Sequence, residues 1–236
     1  VAFAMIASLA ATAARAEVVV LGSDTATFTS GTTLADGSTL SVPAGASVRI
    51  LLPSGRTQLV KGPFTAAVKD LGKGEARNDA LVGQIRQMVA SRGGGPQRPA
   101  MRGPAPPSAA AAGIGFSWRE VPVDAGGDYC VERGAPLALL RPGSGSTARV
   151  TVVDVQEGKR VEATFADGKA TAPWPQAITP KVGAFAFLMQ DRPMQQVRLR
   201  LISPLPEKEQ MLRVLHGQRC QRQMEALVRA MQDPKY

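Results

Sequence analysis

Among 236 residues, the side chains best suited to covalent or metal chemistry are few: Cys130, Cys220 and one histidine, His216. His216 precedes Cys220 by four residues in V-L-H-G-Q-R-C, so on one helix both share a face and could form a nucleophile–base pair. A disulfide-bonded sulfur has no thiolate to offer, however, and a helical histidine beside Gly217 reads as a surface or packing residue. One His and two Cys leave almost no ligand set for zinc or haem. Asp124, Asp128 and Glu132 could gather around calcium, but their spacing matches no EF-hand loop, and solvated loop charges are expected. No G-x-x-x-x-G-K-[ST], H-E-x-x-H, C-x-x-C or G-x-S-x-G motif occurs, and Gly143-Ser144-Gly145 reads as a turn. The expectation is a non-enzyme with no catalytic, cofactor or metal residues. Trp174 is the one candidate ligand contact. Between Pro173 and Pro175 it could offer a ring to a sugar, and a core plug or lid over the sheet end is the competing reading.

The cysteines take their meaning from residues 1–16, VAFAMIASLAATAARA, an apolar run ending in Ala14-Arg15-Ala16. This reads as a signal peptide with an A-x-A cleavage site and Glu17 as the mature N-terminus, the alternative being a buried helix. Spanning a bilayer takes about 20 apolar residues, so the run is too short, and a periplasmic or secreted protein that does not span the membrane is expected. In an oxidising compartment two cysteines can close a single internal bridge, expected here over two free buried thiols or intermolecular pairing. So long a loop corresponds to stabilisation on the order of 4 kcal/mol in the chain-entropy model.

Residues 91–113, SRGGGPQRPAMRGPAPPSAAAAG, hold five Gly, five Pro, six Ala, three Arg and no acid. Almost nothing there can be buried, so the segment reads as a solvated linker between two domains, 17–90 and 114–236. Before it, turn signals recur every eight to ten residues and separate short strand-like runs at 39–42, 47–52, 57–60 and 64–68. Then Leu81, Ile85 and Met88 recur at helical spacing, predicting a helix over 79–90 capped by Asn78 or Asp79. After the linker, strands are expected at 116–123, 128–132, 136–141, 149–156, 160–165, 184–190 and 195–202. From Glu207 the period is helical, with Gly217 a possible kink and Cys220, Met224, Leu227 and Met231 on one face. Cys220 on that apolar face would let a bridge to Cys130 pin the helix to the sheet. The fold class expected is mainly β. A small N-terminal β-roll or sandwich with one helix leads through the linker to an antiparallel β-sandwich with a C-terminal α-helix.

The segment 34–60, LADGSTLSVPAGASVRILLPSGRTQLV, resembles a FecR-like periplasmic domain, the likeness covering residues 31–70. Gly37, Gly45 and Gly55 match the family's turn glycines, and Leu40, Val48, Ile50 and Leu59 its inward residues. The resemblance implies an exported, non-catalytic β-module used in envelope sensing or protein contacts. The charge pattern agrees with partners other than nucleic acid. Residues 17–90 carry seven basic and six acidic side chains, the linker three and none, and residues 114–236 seventeen and thirteen. The excess is diffuse, without the basic stripe interleaved with aromatics that nucleic acid requires. The reading is surface recognition of an envelope protein partner, with an anionic envelope polymer also able to use the field. The alternatives are a glycan- or peptidoglycan-binding module and an enzyme with a site outside known motifs.

Overall fold

The computed structural model describes residues 17–91, 115–190 and 192–233; the expected signal peptide and nearly all of the expected linker lie outside them. The described residues are mainly β with three α-helices, built as a β-roll, a helical layer and a β-sandwich, each with its own core.

The roll is formed by β1 (Glu17–Ser23), β2 (Thr33–Ala35), β3 (Thr39–Val42), β4 (Ser47–Leu51), β5 (Thr57–Lys61) and β6 (Phe64–Ala67). An antiparallel sheet in the order β2-β1-β4-β5 lies over the β3-β6 pair. Val18, Val20, Leu40, Val48 and Ile50 fill the space between them. The runs from 39 to 68 fall where alternation places them, but β1 and β2 do not emerge from it. In β1, Val18, Val19, Val20 and Leu21 are all fully buried, because Val19 and Leu21 face a second core on the far side. A strand buried on both faces has no polar alternation to reveal it. Leu59, expected to point inward, is 46% exposed. Val60 pairs with Val48 across the core face, so Leu59, opposite Arg49, turns to the other side at the sheet edge.

The second core belongs to the helices α1 (Asp79–Ala90), α2 (Met211–Gly217) and α3 (Gln221–Gln232). Asn78 caps α1 through its side-chain oxygen on the Leu81 N–H. The expected break near Gly217 is a Schellman turn. Arg219 adopts a left-handed φ of 62°, Cys220 N–H reaches Leu215 C=O, and Arg219 N–H reaches His216 C=O. Leu81 and Ile85 of α1, Leu212 and Leu215 of α2, and Met224, Leu227 and Met231 of α3 meet Val19 and Leu21 from the roll and Cys130 and Ile202 from the sandwich. The helical layer therefore joins the two halves of the chain.

The sandwich comprises β7 (Glu120–Pro122), β8 (Gly127–Glu132), β9 (Ala138–Leu140), β10 (Ala148–Asp154), β11 (Arg160–Phe165), β12 (Thr171–Pro173), β13 (Gly183–Met189) and β14 (Gln195–Ile202). A five-stranded sheet, β11-β10-β13-β14-β8, covers a three-stranded one, β12-β9-β7. All seven expected strands are present, with β12 in addition. Its pairings are antiparallel except β14–β8 and β9–β7, which are parallel. Both parallel partners come from the stretch leading out of the linker, and β8 reaches β14 only after more than sixty residues of intervening chain.

At Gly22 the roll and α3 meet backbone to backbone, beside an irregularity in the β1–β4 register. A Cβ there would lie 2.5 Å from the Met231 carbonyl oxygen of α3. Gly22→Ala is expected to push the end of α3 off β1 and to cost about 1–3 kcal/mol in denaturant unfolding. Amide hydrogen exchange should rise in both β1 and the last turn of α3.

Candidate functional site

A groove lies between α3 and the β7–β8 side of the sandwich, with a cavity volume of about 40 Å³. Helical periodicity builds one wall. Arg222, Glu225, Ala226 and Arg229 follow one another at i, i+3, i+4 and i+7, while Met224, Leu227, Val228 and Met231 face the core. Glu120 and Pro122 of β7 supply part of the opposite wall, with Leu140, Ala125 and the Tyr129 ring adding apolar surface.

Three tethers join α3 to the sandwich. Cys220, its N-cap, is bonded to Cys130 of β8 with Cα atoms 5.8 Å apart. Gln223 is 5% exposed and substitutes for a missing strand. Its Oε1 accepts from Cys130 N–H at 2.6 Å, and its Nε2 donates to the Cys130 and Ser117 carbonyls at 2.8 Å each. Arg222 Nε donates to Gly126 C=O at 2.8 Å, fixing the loop between β7 and β8. A further relay, Gln84 to Gln221 to Glu225, ties α1 to α3.

Burial raises the Tyr129 phenol to about 12, with Asp124 and Glu225 adding to the rise and Arg222 opposing it. At neutral pH it is therefore an O–H donor rather than a phenolate. The groove is lined by apolar surface, the hydroxyls of Ser117 and Tyr129, two carboxylates and two guanidinium groups. Charge of both signs beside apolar surface is chemistry suited to orienting a polar segment rather than to bond making.

The residues singled out in the sequence are dispersed. Cys130 and Cys220 come together as the disulfide, so the Cys220 sulfur carries no thiolate for the half-buried His216. Asp128 pairs with Arg200 at 2.9 Å and Glu132 with Arg119 at 2.6 Å. Among the described residues no cluster of three or more His, Cys, Asp or Glu is arranged to hold a metal. For Trp174 the structure bears out the core-plug reading and not the ligand contact. It is 6% exposed, donates from Nε1 to Ile178 C=O at 2.7 Å, and meets Phe185 and Phe187 edge to face. The following turn, with Ile178 N–H bonded to Pro175 C=O, folds chain over the ring, which plugs the sandwich and is no stacking platform.

Sequence reasoning missed Gln223 and the groove. The signal for Gln223 was its place three residues after Cys220, inside the apolar stripe, where a polar residue must find partners. The groove gave no such signal, because its walls are far apart in the chain. Models of protein families, curated proteins and solved structures all show no match to this chain.

Away from the groove, Asp154 is a buried carboxylate at the end of β10. A hydrogen bond from Lys181 at 2.8 Å holds its carboxyl below the ordinary value of 3.8, helped by the Gln156 and Glu157 N–H groups. A lowered native value contributes stability that is present above pH 4 and lost as pH falls through the native value. Melting temperature should therefore drop steeply on acidification below pH 4. Asp154→Asn should start lower at neutral pH and decline less. At the groove, Gln223→Ala leaves three backbone groups without partners and should cost about 2–4 kcal/mol in urea unfolding of the oxidised protein. Gln223→Glu, which accepts but cannot donate to the two carbonyls, should recover little of it.

Proposed function

We propose that this chain is an exported, non-catalytic protein that acts by surface recognition in envelope sensing or assembly, with the α3 groove as its contact surface. The observation that carries the reading is the pre-formed groove, whose helical wall is fixed by a disulfide and a buried amide before any ligand arrives. A rigid wall spares the ordering cost of binding. Its rim carries Glu120 and Glu225 as well as Arg222 and Arg229, which suits a protein segment with both charges better than a uniformly anionic polymer. Export is supported by the apolar leader and by the bonded cysteines, which persist in an oxidising compartment. No helix among the described residues is long and apolar enough to cross a membrane. The resemblance of residues 31–70 to a FecR-like domain supports an envelope role.

The test combines location and contact. Chain recovered from an envelope extract should have a mass beginning at Glu17 with the bridge intact. A photo-crosslinking residue at Ala226 should give one discrete protein adduct there, and Arg222→Glu should abolish it. Unprocessed chain retained in the cytoplasm, or adducts indifferent to Arg222→Glu, would overturn the proposal.

A further inference from the structure

The four edge strands of the sandwich are not guarded alike. Gln223 and α3 cover β8. On β7, Arg119 C=O and Val123 N–H are bonded to β9, so the intervening Pro122 faces the free edge, where it has no N–H to donate. β12 is three residues long and ends in Pro173. β11, by contrast, runs six residues with no proline and pairs with β10 without a register shift. Among the described residues no strand pairs with its other side.

The hydrogen-bond parity of β11 is fixed by the hairpin. Asp154 N–H donates to Lys159 C=O, and Val152 stands opposite Val161. Bonded pairs alternate in an antiparallel ladder, so Lys159, Val161 and Ala163 turn their backbone groups towards β10. Arg160, Glu162 and Thr164 therefore turn theirs outward, and all three side chains are exposed on the same sheet face.

We infer that the β11 edge pairs with β11 of a second copy of this chain, in an antiparallel register centred on Val161. A two-fold axis at Val161 sets Arg160 opposite Glu162 of the second copy, and Glu162 opposite its Arg160. These are directly opposed, oppositely charged pairs between residues whose backbone groups both face the new ladder. Neighbouring registers lose this match. An axis at Glu162 opposes two carboxylates, and one at Arg160 opposes two guanidinium groups. Arg149, 3.4 Å from Glu162 within one copy, places a second cation at each carboxylate. The two five-stranded sheets become one ten-stranded sheet.

Sedimentation of the oxidised full chain should show a monomer–dimer equilibrium. Arg160→Glu and Glu162→Arg alone should each weaken the dimer about tenfold or more, and the double reversal should restore it. All cysteines in the native chain are bonded, so Val161→Cys adds the single free thiol. At the axis its two copies would have Cα atoms about 4.5 Å apart, within disulfide reach. Oxidation should then give a covalent dimer, which Glu162→Cys should not. If the exposed charges instead guard the edge against pairing, the wild type stays monomeric at all concentrations, and the inference is wrong. A dimer that survives both single reversals, or cross-links through position 162, also overturns it.

Discussion

The fold depends on one helix being buried from two directions. α3 meets β8 of the sandwich through Cys220 and Gln223, and β1 of the roll through its later turns. A helix can present apolar surface to two sheets if its stripe is wide, and α3 achieves this with Met224, Leu227, Val228 and Met231. Hydrophobic contact alone leaves such a helix free to slide, because methionine and leucine side chains repack at small cost. Gln223 removes that freedom. An amide that accepts from one N–H and donates to two carbonyls in a buried site has essentially one satisfied position. The disulfide at the N-cap fixes the same end of the helix by covalent means. Gly22 fixes the other end by steric means, since the β1 backbone approaches α3 as closely as a missing side chain allows.

This arrangement explains which parts of the structure were legible in the sequence. Strands with one wet face, such as β10 and β14, write their burial as alternation. The Asn78 cap and the apolar spacing of α1 are equally local. β1 is different because its second buried face rests on helices that follow some sixty or two hundred residues later. Its Val-Val-Val-Leu run therefore signals only that something covers both sides. Leu59 fails for the complementary reason: a large apolar residue within a strand is no proof of which face is inside when the strand lies at an edge. Trp174 had the right composition for a contact residue and the wrong neighbours, since the chain after it folds back to accept its indole N–H.

The sandwich holds two buried ionic side chains, and their solutions differ. Arg141 is 8% exposed, and among the described residues it forms no ion pair. Its guanidinium donates to the carbonyls of Lys169, Ser146, Gly145 and Ala166 and lies over the Phe165 ring. The planar five-donor fork can gather loop carbonyls in this way, whereas an ammonium group offers three donors from one point. Asp154 instead closes its hairpin turn by accepting two N–H groups, and Lys181 supplies the compensating charge. Both residues order loops at sheet ends, so their burial is explained by architecture and neither marks a second site.

The same sheet order separates the two contact surfaces in space. β8, which carries the α3 groove, and β11, which carries the self-complementary edge, stand at opposite ends of the five-stranded sheet. Four strand spacings put roughly 19 Å between them. Pairing at β11 therefore adds strands at the far side and leaves the groove open. A two-fold axis at Val161 would produce two grooves facing away from the shared edge. A partner with repeated copies of one segment could then engage both, and weak affinity at each groove would be multiplied by effective concentration without any change in the groove itself.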